Sequence, residues 1–244
     1  SAPSGDLARH CGPGFPEILP PLRSIADAKA GGFPQRPPNS MNNYGLVLNG
    51  IGLKPVFSAM LQDYLQGIAA RLFGPEDMRD SSLPAKDLGG ENWGGDSLSA
   101  HHTFVVRYQP DEDQSLDMHV DECDVTFNFA LTPADSFEGN DLVFCGMLGS
   151  VSHRKHLHSY KHQQGRCVMH LGKRRHGALP ISSGRRMSLI MWCKSPLFRQ
   201  SDEYLLRRFA PMKKRPHSPD RICLSHSHDS DYEDQMDKLS DPNR

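Results

Sequence analysis

Several features that assign chains to common protein classes are missing from this sequence. Its six cysteines include no C-x-x-C pair, and a chain of 244 residues is large enough to form a core without disulfide staples. No apolar run approaches the length of about 18 residues that a transmembrane helix needs. We therefore expect a soluble protein with reduced cysteines, located in the cytoplasm or the nucleus.

Acidic residues are missing from one stretch of the chain and not from the chain as a whole. The whole chain is nearly neutral, with 28 Lys and Arg against 29 Asp and Glu and a net charge of -1. Residues 150–186, however, contain no Asp or Glu, but nine Lys or Arg and six His. This stretch could attract an acidic protein segment or a phosphate backbone, or it could be a solvated basic face balanced by acidic residues at 111–124.

The basic stretch gives no specific sign of a nucleic-acid surface or of a second metal site. It lacks the interleaved aromatic residues on which bases stack, which counts against a nucleic-acid demethylase. Both a protein and a nucleic-acid partner stay open at this point, as does the oligomeric state. Four histidines cluster without Cys or carboxylate neighbours, so we interpret them as surface loop residues: His153, His156, His158 and His162.

Changes in composition divide the chain into five regions. Prolines and glycines dominate the first region, helix-period apolar residues the second, β-favouring runs the third, and Ser, His and Asp the last. We predict an extended arm at 1–40, a helical support region with a loop at 41–100, a core at 101–196, a short helix at 197–210 and a disordered tail at 211–244.

The second and third regions differ in the period of their apolar residues. From Pro55 to Phe73 the apolar residues recur every three or four positions, which predicts an amphipathic helix that supports a sheet. The third region has no helical pattern but five short β-favouring runs, at 103–108, 125–131, 141–145, 166–170 and 186–193. The sequence therefore predicts a mainly β fold, a barrel or a sandwich, with flanking N-terminal helices.

A histidine and an aspartate stand two residues apart just before the second β-favouring run. On a strand, His119 and Asp121 would point to the same face and could direct one nitrogen and one oxygen at a common point. A metal needs a third ligand, and the candidate is His176, in a predicted loop after the run at 166–170. Two His and one carboxylate leave one side of an octahedral ion open, as in non-haem Fe(II) oxygenases. The closed tetrahedral sets and helix motifs that zinc prefers are absent from the sequence.

An arginine opens the last β-favouring run, ten residues after His176. Arg186 precedes a mostly apolar stretch, and a buried guanidinium is costly unless it meets an anion. Its planar fork suits a carboxylate, and Ser188 lies on the same face of the strand. The anion could belong to a ligand, or it could be a carboxylate of the protein in an internal salt bridge.

These residues resemble the 2-oxoglutarate- and Fe(II)-dependent dioxygenases, in particular their prolyl 4-hydroxylase-like branch. The run at 126–131 is similar to the residues that follow the same H-x-D motif in lysyl hydroxylases. The resemblance covers residues 37–195 and rests on four separated segments in matching order. These are the segment 38–45, Phe104-Val105-Val106-x-Tyr108, the H-x-D segment, and His170-x-Gly172-x-x-x-His176-Gly177-Ala178-x-Pro180.

The resemblance implies a double-stranded β-helix (jelly roll) that holds Fe(II) through His119, Asp121 and His176. Arg186 would pair with the distal carboxylate of 2-oxoglutarate, O₂ would be the second substrate, and ascorbate the reductant. Succinate and CO₂ would be the products, and the hydroxylated group would be a prolyl or lysyl side chain of a protein. Ser188 and Tyr108 would form hydrogen bonds to the cosubstrate, and Asn128 would face the same cofactor-binding pocket, because alternate residues of a strand share a face.

The sequence departs from the family pattern at one turn. The motif Phe-x-Gly-Gly-x-Leu-x-Phe occurs at 137–144 with Asn140 in place of the second glycine. Asn tolerates a positive φ, so the turn should survive. Two alternative functions stay open: an oxidative demethylase of nucleic acid from the same superfamily, and a degenerate jelly-roll module without activity. The complete His–Asp–His set together with Arg186 argues against the second.

Overall fold

The protein is described by a computed structural model over residues 37–79, 92–209 and 217–240. Most of the predicted arm at 1–40 and part of the predicted loop at 74–100 lie outside these ranges. No helix within them has both the length and the apolar content needed to cross a membrane.

Eleven strands form the body of the described structure. They are β1 (Gly45–Val47), β2 (Ala100–Tyr108), β3 (Leu116–His119), β4 (Val125–Ala130), β5 (Phe137–Gly139), β6 (Leu142–Met147), β7 (His156–Tyr160), β8 (Cys167–Leu171), β9 (Arg174–Ala178), β10 (Ile181–Gly184) and β11 (Arg186–Lys194).

Helices precede and follow strands β2 to β11 along the chain. They are α1 (Lys54–Met60), a π-helical turn (Leu61–Leu65), α2 (Gln66–Phe73), α3 (Pro196–Arg199), α4 (Asp202–Phe209) and α5 (Tyr232–Ser240). Short 3-10 turns occupy Leu48–Ile51, Glu76–Met78 and Arg221–Cys223.

The strands form two antiparallel sheets between which the chain alternates. The larger sheet has the order β1-β2-β11-β4-β8, the smaller sheet the order β3-β9-β6-β7, and β5 pairs separately with β10. From β2 onward the chain visits the larger sheet at β2, β4, β8 and β11 and the smaller sheet at β3, β6, β7 and β9. This alternation is the winding of a double-stranded β-helix, so the predicted jelly roll is confirmed.

The central strand β11 is buried on both faces, and the two faces contact different parts of the structure. Met187, Leu189 and Met191 point outward into the main hydrophobic core, where α1 and α2 cover the larger sheet. The predicted supporting helix is therefore present, and burial of a side chain such as Phe57 contributes about 1.5–3 kcal/mol. The alternate residues of β11, beginning with Arg186, face the space between the two sheets.

Strand β9 was not predicted from the sequence, and it changes the setting of a candidate ligand. His176 lies in β9 and not in a loop. The sequence of β9 is Arg-Arg-His-Gly-Ala, which has no apolar alternation because one face carries a polar site residue and the other carries Arg175. Arg175 donates to the carbonyl of Cys223 at 3.0 Å and to Asp229 at 2.5 Å.

The predicted disorder of the tail is wrong for residues 217–240. Cys223 forms a disulfide with Cys145 of β6, so the prediction that the cysteines are reduced is wrong for these two, while Cys123, Cys167 and Cys193 are free thiols. The segment 217–231, here called the C-terminal clasp, lies against the smaller sheet through ion pairs such as Arg154–Asp231 at 2.7 Å. Composition predicted disorder because the clasp has few apolar residues, but its polar groups find fixed partners on the sheet.

Candidate active site

Two strands of the smaller sheet and the turn after β3 bring the three predicted ligands together. His119 is the last residue of β3 and lies directly opposite His176 in the register of β3 with β9. Asp121 follows two residues later, and its backbone N–H donates to the carbonyl of Gly172 at 2.8 Å. Only glycine fits there, because a Cβ on Gly172 would lie 2.0 Å from the carbonyl oxygen of Cys123.

The three side chains are buried and close enough to share one metal ion. Nε2 of His119 lies 3.3 Å from Oδ1 of Asp121, and Nε2 of His176 lies 3.6 Å from Oδ2. One potential ligand atom from each residue lies within 4.8 Å of the others. Thr126 donates its hydroxyl hydrogen to Oδ2 of Asp121 at 2.5 Å and thereby orients the carboxylate.

Backbone carbonyls fix the tautomer of both histidines. Nδ1 of His119 lies 2.8 Å from the carbonyl of Asp117, and Nδ1 of His176 lies 2.9 Å from the carbonyl of Arg174. Because a carbonyl only accepts, each Nδ1 carries the hydrogen and each Nε2 directs a lone pair toward Asp121. This is the ring orientation that metal-bound imidazoles adopt.

Electrostatics keeps the same set in the protonation state that a cation needs. Burial lowers the pKa of His176 well below its ordinary value, which favours the neutral imidazole. Burial alone would raise the pKa of Asp121, but the neighbouring imidazoles of His176 and His119 lower it below its usual range. The neutral imidazole of His176 and the carboxylate of Asp121 therefore converge with Nε2 of His119, and this donor set fits Fe(II).

A further histidine borders the site and was given no role by the sequence reasoning. His170 of β8 is buried, its ring centroid lies 4.3 Å from that of His176, and its Nε2 lies 3.9 Å from Oδ2 of Asp121. The register of β8 with β4 could have located it, because His170 pairs with Thr126. Phe144 contacts the rings of both His170 and His176 and closes this side of the site.

The metal-binding set opens into a cavity between the two sheets with about 510 Å³ of empty space, which includes space open to solvent. Tyr108, Asn128 and Arg186 line the same cavity, while Ser188 lies behind Arg186 and accepts a hydrogen bond from it. Oδ1 of Asn128 is buried without a hydrogen-bond partner among the described residues. The walls also include Phe104, Leu142, Ile190 and Trp192.

Arg186 lies at the cavity wall with an exposure of 1%. Burial lowers the pKa of Arg186 to about 10, so the guanidinium keeps its charge. Within the described part of the chain no carboxylate lies within 4.0 Å of it, so the internal salt bridge considered above is not found there. Tyr108 stands opposite in the register of β2 and β11, with its ring 5.5 Å from the guanidinium carbon. The charge of Asp141 raises the pKa of Arg186, but Asp141 forms no ion pair with it among the described contacts, so the buried guanidinium is suited to a carboxylate ligand.

The four clustered histidines are not equivalent. His156 and His158 are exposed on β7, as predicted, but His153 and His162 are buried, so the prediction of surface positions is wrong for these two. Nδ1 of His162 lies 2.8 Å from Nη2 of Arg186. Sequence reasoning treated the cluster as one loop because it had not recognised β7 within it.

Comparisons with known proteins agree with this site. The family model for an OGFOD2-like domain matches residues 17–77. The 2-oxoglutarate and iron-dependent oxygenase domain-containing protein ICU11 of Arabidopsis thaliana is 35% identical over 172 residues, which are 68% of this chain and 38% of that protein. The human 2-oxoglutarate and iron-dependent oxygenase domain-containing protein 2 is 30% identical over 181 residues, 74% of this chain and 46% of that protein.

Among solved structures, the chain is similar to a prolyl-4-hydroxylase of Pseudomonas putida, with 20% identity and a TM-score of 0.32 over 40% of this chain and 53% of that one. The chain spans less than half the length of the two relatives named above. The sequence matches cover two thirds or more of this chain. Over about two thirds of its length the chain is therefore a relative of the 2-oxoglutarate and iron-dependent oxygenase domain-containing proteins.

Proposed function

We propose that this protein is an Fe(II)- and 2-oxoglutarate-dependent dioxygenase that hydroxylates a prolyl or lysyl side chain of a protein substrate. The observation that carries the proposal is one cavity with two complementary ends. His119, Asp121 and His176 offer a buried cation site, and Arg186 offers a buried positive charge without a carboxylate partner in the described structure. The names of the relatives support iron and 2-oxoglutarate as the two groups that bind there.

Different residues would bind the metal and the cosubstrate at the two ends of the cavity. His119, Asp121 and His176 would hold Fe(II), and Thr126 would keep the carboxylate of Asp121 oriented toward it. Arg186 would bind the distal carboxylate of 2-oxoglutarate, next to Tyr108 and Ser188. Bound Fe(II) supplies the activation of O₂ that couples oxidation of the substrate to conversion of 2-oxoglutarate into succinate and CO₂.

The apolar walls separate this chemistry from water. Phe104 and Ile190 are buried beside the cavity, and Trp192 lies edge-on against Phe104 with ring centroids 4.9 Å apart. Apolar walls strengthen the attraction between Arg186 and a carboxylate, because they lower the local dielectric. Ascorbate as the reductant stays a prediction, and no residue is assigned to it.

The charges around the site favour a protein substrate over a nucleic acid. Part of the basic stretch at 150–186 is neutralised by the C-terminal clasp, through Lys155–Asp220 at 2.5 Å, Arg154–Asp231 and Arg175–Asp229. These three ion pairs are formed by the clasp and not by residues 111–124, the acidic segment considered above. A neutralised face attracts a phosphate backbone less strongly than the sequence alone indicated.

The proposal is tested with the full chain, first by anaerobic binding of Fe(II) and 2-oxoglutarate, then by succinate release in air with ascorbate. We expect both groups to bind and a pool of proline- and lysine-containing peptides to stimulate succinate formation. Stimulation by methylated nucleic acid alone would reassign the substrate class. Absence of binding of either group, or equal succinate release from the wild type and His119→Ala, would overturn the enzymatic function.

A further inference from the structure

The guanidinium of Arg186 is held entirely by neutral acceptors in the described structure. Nη1 donates to the carbonyl oxygen of Asn140 at 2.9 Å and also to its side-chain oxygen. Nε and Nη2 both donate to Nδ1 of His162, at 3.1 and 2.8 Å, and Nη2 donates to the hydroxyl of Ser188 at 3.1 Å. All three nitrogens are thus fixed in direction, yet none of these partners carries a negative charge.

His162 is locked in the neutral form that this arrangement requires. A guanidinium nitrogen only donates, so Nδ1 of His162 must accept and the hydrogen must reside on Nε2. Burial and the adjacent charge of Arg186 lower the pKa of His162 to about 2, so the ring is uncharged at neutral pH. The ring of Tyr160 packs edge-on against His162 at 5.6 Å and holds it in place.

Asn140 is the residue that replaces the second glycine of the family turn motif. It adopts φ +57°, and its amide is fixed by donation from Nδ2 to the carbonyl of Leu179 at 2.7 Å. Asn140 therefore adopts the conformation of the turn and also brings a side-chain oxygen to Arg186 that glycine could not provide.

We propose that His162 and Asn140 are positioning residues for 2-oxoglutarate, which fix the Arg186 guanidinium at the cavity while leaving its positive charge available to a carboxylate. The inference rests on the proposed function. Its physical basis is that a carboxylate in either position would neutralise Arg186 and remove the attraction for the ligand, whereas a neutral acceptor orients the guanidinium without this effect.

The test compares substitutions that differ in charge but hardly in size. His162→Gln keeps a neutral acceptor, and His162→Glu replaces it with a charged one. We expect His162→Glu to raise the dissociation constant of 2-oxoglutarate at least about tenfold over that of His162→Gln, the lower end of the effect of close buried charge pairs. Asn140→Asp makes the same comparison at the second position and keeps the test informative if His162→Glu does not fold.

The measurement is calorimetric titration of 2-oxoglutarate into the full chain loaded with Mn(II), which reports binding independently of turnover. His158→Glu is the matched control, since it adds the same charge at an exposed position on neighbouring β7 and should leave the affinity unchanged. Equal affinities of folded His162→Glu and His162→Gln, and of Asn140→Asp and wild type, would overturn the positioning roles alone. A wild type that binds Mn(II) but no 2-oxoglutarate would overturn the proposed function and this inference with it.

Discussion

The disulfide between Cys145 and Cys223 should make a large contribution to stability. It joins residues 78 positions apart in the sequence, and the chain-entropy model for a loop of this length gives about 4.5 kcal/mol at 25 °C. For a chain of this size, such a loss lowers the melting temperature by about 9–18 °C. We therefore expect the double substitution Cys145→Ala/Cys223→Ala to cause a shift in this range.

The assay is thermal and urea unfolding of the oxidised wild type, the reduced wild type and the double variant. Reduction of the wild type should reproduce the effect of the double variant, and reduction of the double variant should add nothing further. Cys167→Ala is the control, because Cys167 is a half-buried thiol outside the disulfide and its loss should cost far less.

The disulfide should also influence the metal-binding set, because the clasp contacts both histidine strands. Ser225 and Ser227 donate to the carboxylate of Asp117, whose carbonyl oxygen in turn accepts from His119. We expect weaker Mn(II) binding after reduction, in parallel with the loss of stability. Two free thiols at Cys145 and Cys223 in protein purified without reductant, or an unchanged melting temperature after reduction, would refute the reasoning.

Three further predictions concern single side chains. Asp121→Ala should weaken Mn(II) binding by more than about 100-fold in a titration, since even changes next to a metal ligand cost about 10- to 100-fold. Arg186→Met should abolish measurable 2-oxoglutarate binding and also lower the melting temperature, because it leaves buried acceptors of Asn140, His162 and Ser188 unpaired at about 1–3 kcal/mol each; an unchanged melting temperature would contradict this. Burial alone would raise the pKa of Asp117, but hydrogen bonds from Ser227 and Ser225 lower it below its ordinary value. The contribution of the Asp117 carboxylate to stability should therefore be present above its unfolded pKa of about 3.9. This contribution should be lost as the pH falls through the lower folded pKa. Urea unfolding of wild type and Asp117→Asn should therefore differ at pH 6 and converge under strongly acidic conditions, and a difference that grows on acidification would disprove it.

The sequence predicted those parts of the fold in which side-chain pattern and location agree. The runs that became β2, β4 and β11 are apolar on at least one face, and α1 and α2 have the helical period of a covering helix. The spacing of His119 and Asp121 predicted their convergence, although only His119 lies within the strand. Local pattern is sufficient where the hydrophobic effect selects the element.

The parts that the sequence did not predict are stabilised by distant polar partners. β9 exposes no apolar stripe, since Arg175 faces the clasp and His176 faces the cavity. Composition alone predicts disorder for the clasp, because the partners of Asp229 and Cys223 lie 54 and 78 residues away in the sequence. Composition averages over such contacts, so neither the strand nor the clasp has a local signal.

The geometry of the metal-binding set depends on sheet register more than on any local motif. Each histidine donates from Nδ1 to the carbonyl two residues before it, so the backbone of its own strand sets its tautomer. The distance between the rings is set separately, by the pairing of His119 with His176 across β3 and β9. A slip of one residue would turn His176 away from the cavity, because neighbouring residues of a strand face opposite sides. The clasp opposes such a slip, since it binds Asp117 on one strand and Arg175 on the other.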